Sequence, residues 1–221
     1  MGQQLHFYDK LHTKTKRDYL TRISSPDIVE MMQTAKQFDF DYWDGDRKYG
    51  FGGYHYDGRW KGMAEDLIER YQLTNQSKIL DVGCGKAFLL FELKQLLPGV
   101  EVVGFDVSRY AISKAPDEIK PHLFVHKAED RYPFGDKTFD LVLSLTVVHH
   151  LKIYEVKRAL QEIERVGRHK YITLDSYRND QELYHLKCWT LTCESFFRPE
   201  EWIWLFEEYG YTGDYDFLFF E

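Results

Sequence analysis

Apolar and polar positions along this 221-residue chain fall into a regular rhythm only from about residue 58 onward. There Trp60, Met63, Leu67, Ile68 and Tyr71 recur at three- and four-residue spacing, which predicts a helix with one buried face. Short apolar runs at 78–82, 101–107, 122–126, 139–145 and 170–175 predict five strands. The stretches at 86–97, 108–116 and 153–166 between them carry helical spacing, and a further helical pattern covers 179–192. Strands alternating with helices make βαβ units, whose right-handed crossovers put helices on both faces of a sheet. The expected fold is therefore α/β, a doubly wound and mostly parallel sheet. At the C-terminus, RPEEWIWLFEEYG reads as a helix ended at Gly210, and the remaining residues supply one more strand. Its edge, with Phe217, Phe219 and Phe220, needs cover, from a second copy or from the N-terminal helices. A monomer and a homodimer both fit.

Before residue 58 the pattern is irregular. Ser25 suits an N-cap and Pro26 a first helical position, so a helix is expected to open at SSPDIVEMMQTAKQF. The stretch FDFDYWDGDRKYGFGGYHYDGRW, residues 38–60, holds five glycines and nine aromatic residues without a period. Such a segment is a loop whose aromatics can exclude water, which suits a lid. The chain thus divides into a head, 1–57, made of a helical part and a Gly/aromatic lid, and a single globular unit, 58–221.

Charge narrows the partners. With 29 Lys and Arg against 36 Asp and Glu the net charge is -7, so no global positive field draws the protein to nucleic acid or to an anionic membrane. A small-molecule partner is expected. Cys84, Cys188 and Cys193 match no zinc spacing and are too few for a disulfide scaffold, which predicts no metal and a reducing compartment, the cytoplasm. The opening MGQQLHFYDK has no apolar core of a signal peptide, and no 18-residue apolar run appears to cross a membrane.

The chemistry concentrates at ILDVGCGKAF, residues 79–88, where a buried strand ends on Asp81 and turns through Gly83 and Gly85 into a helix. In open α/β sheets ligands sit beyond the carboxyl ends of the strands. Gly83 and Gly85 permit close approach of the backbone, and Asp81 suits a cationic amine. The second strand ends in Asp106, 21 residues after Gly85, a placement that suits the two hydroxyls of a ribose. A nicotinamide dinucleotide is disfavoured, because Asp81 repels a pyrophosphate at that turn.

These residues resemble the first motif of the class I S-adenosylmethionine (SAM)-dependent methyltransferases, with Ala87 where a third glycine is common. Asp106 is similar to that family's ribose-binding acid, and residues 124–151 resemble its adenine-side turn and fourth strand. The resemblance covers about residues 60–221 and implies a Rossmann-like fold with SAM as cofactor. It implies Asp81 near the methionine amine, Gly83, Cys84 and Gly85 along the methionine and sugar, and Asp106 with Val107 at the ribose. Ala128 with Glu129 or Asp130 is implied at the base, and Leu145 completes the site. The chain departs from the family in carrying Lys127, not an acid, before Ala128.

For catalysis, a base is needed where the acceptor is a hydroxyl or a protonated amine; His149, His150 and Asp175 lie past strands four and five and are the candidates. Packing or capping is the alternative role of the histidines. On the acceptor side the candidates are Tyr49, Tyr54, His55, Arg59, Trp60, Tyr177 and Arg178. Arg47, Lys48 and Lys61 add local positive charge, which suits an anionic acceptor. Tyr184 and Trp189 face either the pocket or the core. The expected activity is methyl transfer from SAM to an oxygen or nitrogen of a small molecule, with a lean toward a sugar or nucleotide-linked sugar from a loose likeness of the 41–60 stretch to sugar-pathway methyltransferases. The alternative is a SAM-binding partner or regulatory subunit without chemistry of its own.

Overall fold

The structure is a computed structural model that describes residues 2–8, 11 and 22–220. Six parallel strands form one sheet: β1 (Lys78–Val82), β2 (Glu101–Asp106), β3 (Leu123–Val125), β4 (Phe139–Leu145), β5 (Gly167–Asp175) and β6 (Asp214–Leu218). Their order is β3-β2-β1-β4-β5-β6, so the direction of winding reverses between β1 and β4. The helices are α1 (Ile28–Ala35), α2 (Phe40–Trp43), α3 (Lys61–Tyr71), α4 (Phe88–Leu96), α5 (Arg109–Ser113), α6 (Ile153–Val166), α7 (Asp180–Trp189) and α8 (Pro199–Tyr209).

Alternation along each strand sends side chains to two cores, as a sheet covered on both faces requires. Leu80, Val82, Val142 and Ile172 meet Leu160 and Ile163 of α6 and Trp202 and Phe206 of α8. Ile79, Val102, Leu141 and Leu143 meet Met63 and Leu67 of α3 and Leu90 and Leu93 of α4. A one-residue slip of any central strand would exchange its two faces, so burial on both sides sets the register.

Several boundaries move from their expected places for local reasons. The first helix opens at Ile28, not at Pro26, because Ser25 holds the preceding residues in a turn: its Oγ accepts from the Asp27 N–H and its carbonyl from the Ile28 N–H. α4 starts two residues late, since Ala87 takes a left-handed conformation (φ 56°) in the turn that precedes it. β5 starts three residues early because Gly167 already pairs with Phe139 of β4. α7 is capped as a helix should be, with the Asn179 side chain accepting from the Glu182 N–H at 3.0 Å. Gly210, at φ 74°, ends α8 as expected.

The outer edge of β6 is met by an extended N-terminal stretch and not by a helix. Leu5 N–H donates to the Tyr215 carbonyl at 2.8 Å, and Tyr215 N–H donates to the Gln3 carbonyl at 3.1 Å, a parallel bridge across Gln4. Phe217 and Phe220 are buried within the chain itself. Among the described residues no helix is long and apolar enough to cross a membrane.

Candidate active site

The carboxyl ends of β1, β2, β4 and β5 open into a cavity of about 440 Å³, walled on its other side by the head. Asp81, Gly83, Cys84 and Gly85 line it from the first turn, Asp106 and Val107 from the second strand's end. Ala128, Glu129 and Leu145 line it as well, whereas Asp130 does not. The topology places the β1 turn beside the reversal of strand order, where a crevice forms because neighbouring connections leave on opposite faces.

Asp81 is the least satisfied group in this wall. It is 4% exposed, and no hydrogen bond reaches its carboxylate among the described residues. Burial, then the charge of Asp106, pushes its pKa up to about 7. Asp106 is also raised by burial, though less freely, because backbone N–H groups oppose the shift. Its Oδ2 accepts from Gly85 N–H at 2.8 Å and its Oδ1 from Ser108 N–H at 2.7 Å, so the acid also ties the glycine turn to the second strand. Gly83 and Gly85 both sit at positive φ (74° and 54°). The close neighbours they permit are protein groups: a Cβ on Gly83 would stand 2.4 Å from Val147, and one on Gly85 would stand 2.7 Å from the Trp43 ring.

Trp43 of the head covers the glycine turn, and no pattern in the sequence marks it among nine aromatics. It is 8% exposed, its Nε1–H is shared between Ser108 Oγ and the Phe38 carbonyl at 3.1 Å each, and its ring stacks on Phe51. A second anchor is the pair Asp44–Lys86. All three hydrogens of the Lys86 ammonium are used, by Asp44 Oδ1 and Oδ2 at 2.6 and 2.7 Å and by the Tyr54 carbonyl at 2.6 Å. Asp44 accepts in addition from Tyr110 OH and Tyr54 N–H. Burial works to raise the Asp44 pKa, but these bonds outweigh it and hold the group down at about 2. The sequence contains one signal for this anchor: a lysine between Gly85 and Ala87 in an otherwise apolar turn must find a counterion if buried. Which acid supplies it is a tertiary matter.

At the β4 and β5 ends, His149 and Asp175 face each other. His149 Nδ1 accepts from the Asp175 backbone N–H at 3.0 Å, so its proton is on Nε2, which stands 3.4 Å from Asp175 Oδ2. Burial, then the neighbouring His150, pushes the His149 pKa well down, leaving it neutral. Burial likewise lowers His150 to about 4 and raises Asp175 to about 7. His150 Nδ1 lies 3.1 Å from Thr192 Oγ1.

The acceptor-side candidates separate. Tyr49, Tyr54, Arg59 and Trp60 line the cavity; Arg59 is paired with Asp57, and Trp60 Nε1–H donates to Tyr54 OH at 2.9 Å. His55 lines a different recess, beside Tyr110 and Lys114. Tyr177 packs against Leu186 and Phe220, and Arg178 is held by Glu182, so neither lines the cavity. Residues not singled out from the sequence, Arg22, Tyr42 and Thr192, do line it. Among the described residues no cluster of three or more His, Cys, Asp or Glu is placed to hold a metal ion.

The methyltransferase-domain family matches residues 79–170, from the start of β1 into β5. That match, together with methyltransferase relatives, supports a class I SAM-dependent methyltransferase domain. The chain is 28% identical over 115 residues to demethylmenaquinone methyltransferase of Thermotoga maritima, covering 52% of this chain and 48% of that one. It is 27% identical over 109 residues to the arginine-hydroxylase NDUFAF5 of Rattus norvegicus, covering 49% of this chain and 31% of the relative. These matches thus span less than half of either relative's own length. The YcgJ protein of Bacillus subtilis shares the fold, with a TM-score of 0.53 at 20% identity over 66% of each chain.

Proposed function

We propose that the cavity binds SAM and that the chain transfers a methyl group to an oxygen or nitrogen of a small molecule. One observation carries the reading: a buried carboxylate without a hydrogen-bond partner among the described residues, Asp81, on the wall of a cavity at the switch point of the sheet. Such a group asks for a cation, and SAM carries an ammonium and a sulfonium. When bound, the donor supplies a methyl group on a sulfonium. Asp106 has lone pairs left beyond its two backbone bonds to accept from a ribose, and Glu129 stands on the adenine side. The ring layer of Trp43, Phe51 and Tyr54 excludes water. Asp175 is the proton acceptor, with His149 orienting its carboxylate; His150, near pKa 4, is the weaker base. A sugar or nucleotide-linked sugar fits the aromatic walls, which offer flat apolar faces to a ring.

Calorimetric titration with SAM tests this. Asp81 has its pKa raised above that of an unfolded carboxyl, so between about pH 4 and 7 the folded, ligand-free chain holds a proton there. Its burial costs no stability below that window and a growing amount as pH rises through it. A cation beside Asp81 expels the proton, so SAM affinity is expected to rise with pH from about 5.5 to 7, with proton release seen as a buffer-dependent enthalpy. Asp81→Asn is nearly isosteric and breaks no bond; it should lower SAM affinity about 10- to 100-fold and remove the proton release. Failure of wild type to bind SAM, or unchanged affinity in folded Asp81→Asn, overturns the assignment.

A second reading, a SAM-binding partner without methyl-transfer chemistry, is left open by the rat relative, which is named for a reaction other than methyl transfer. Transfer of label from methyl-labelled SAM to any small acceptor rejects it.

A further inference from the structure

Five cationic side chains line the cavity, and they differ in what neutralises them. Lys36 pairs with Glu194, Arg59 with Asp57, and Lys127 lies 3.7 Å from Glu129. Arg22 and Arg47 make no ion pair with a carboxylate among the described residues. Their hydrogen bonds go to backbone carbonyls instead: Arg22 to Cys188 and Trp189, Arg47 to Gly50 and Phe51. Those bonds aim the guanidiniums without cancelling their charge. Both guanidiniums also stand over one ring, with Cζ 5.7 Å (Arg22) and 5.8 Å (Arg47) from the Trp189 centroid.

Two like charges converging on one indole repel each other, and burial together with the nearness of Arg47 lowers the pKa of Arg22. An oxyanion between them removes the repulsion and gains charge-assisted, forked hydrogen bonds. The location separates this group from the donor's acids. Trp189 closes α7 on the β5 side, whereas Asp81 and Asp106 end β1 and β2, two and three strands away in the sheet order. Asp175, the proposed proton acceptor, ends β5 and lines the same cavity. The cavity is thus acidic where a cationic donor is expected and basic where the acceptor must lie.

We propose that Arg22, Arg47 and Trp189 form an anion subsite that holds a carboxylate or phosphate carried by the methyl acceptor, the indole and guanidinium planes packing on the part that bears it. The inference rests on the methyltransferase reading of the same cavity. It assigns the acceptor's chemical class and leaves the methylated atom near Asp175.

The test titrates the full chain, saturated with the demethylated product S-adenosylhomocysteine, with benzoate, phenyl phosphate, inorganic phosphate and the neutral benzyl alcohol, by calorimetry up to about 10 mM. The expected result is binding of at least one anion, with benzyl alcohol about tenfold weaker or more. Benzoate against the phosphates decides which oxyanion is preferred. Arg22→Gln and Arg47→Gln should each weaken the anion about tenfold or more, Arg22→Lys should restore part of it, and SAM affinity should stay within about twofold. Because Arg47 is exposed, its variant remains informative if Arg22→Gln does not fold. The proposal is overturned if no anion binds, if benzyl alcohol binds as well, or if both variants bind the anion normally. It is also overturned if they weaken SAM as much as the anion, since the pair then holds the donor's carboxylate. A chain that binds SAM or its product but shows one of these outcomes fails here alone, whereas a chain that binds neither SAM nor its product fails the functional reading first.

Discussion

Asp175→Asn is expected to lower turnover by about 10²–10⁴ while leaving SAM affinity within about twofold. The substitution keeps the shape of the side chain and the backbone N–H that His149 accepts, and removes only the capacity to take a proton. Burial raises Asp175 to about 7 unopposed by His149, which is itself held neutral. A base in that range is half ionised near neutral pH, so the wild-type rate should rise through pH 7 and the variant should lose that ascending limb. His149→Ala should cost less, because both its ring nitrogens serve Asp175 and neither is free to take the acceptor's proton. His150→Ala should cost least of the three. Pre-steady-state assays across pH, with the acceptor in hand, check the order. A loss under tenfold in Asp175→Asn, with the limb intact, assigns the rate to positioning alone.

Asp44→Asn is expected to destabilise the fold by roughly 3–5 kcal/mol, because it leaves the Lys86 ammonium, 3% exposed, without its counterion. For a chain of this size the melting temperature should fall by about 6–20 °C. The pH dependence has a definite sign. Asp44 has its pKa depressed from the ordinary carboxyl value to about 2, so its contribution is complete above the unfolded value near 3.8 and is lost as pH falls from there through 2. Acid unfolding of the wild type should therefore be partly missing in the variant. The same pair fastens the head to the glycine turn, so hydrogen exchange in residues 40–54 should speed up at least as much as in the core. Unchanged melting together with unchanged exchange there would falsify the anchor.

Strand and helix were legible wherever burial has a period. The runs at 78–82 and 139–145 coincide with β1 and β4, and the helical spacing at 153–166 coincides with α6. The errors sit at ends, where a single local bond decides: Ser25 delaying α1, the left-handed Ala87 delaying α4, the Gly167–Phe139 pairing advancing β5. Asp81, Gly83, Gly85 and Asp106 were readable because they lie next to strands whose direction and order follow from βαβ handedness.

The head was another matter. Its aromatics and charges have no period, so the sequence could say that residues 38–60 make a loop with water-excluding rings but not which ring covers the glycine turn. Trp43 does, because its Nε1–H finds Ser108 and its ring finds the space over Gly85; Tyr177, equally aromatic, is drawn to Leu186 and Phe220. Charge behaved the same way. From composition Arg47, Arg59 and Arg178 were equivalent cations, and only long-range neighbours separate them: Asp57 and Glu182 neutralise two, while Arg47 stands over Trp189 beside Arg22. The sequence alone determined the sheet, its helices and the acid-and-glycine end of the cavity, all of which follow from local periodicity and the handedness of the chain. Tertiary structure alone decided the lid's anchors, the His149–Asp175 pairing and the arginine pair, because each depends on residues more than 20 positions apart meeting across a connection whose path no local pattern encodes.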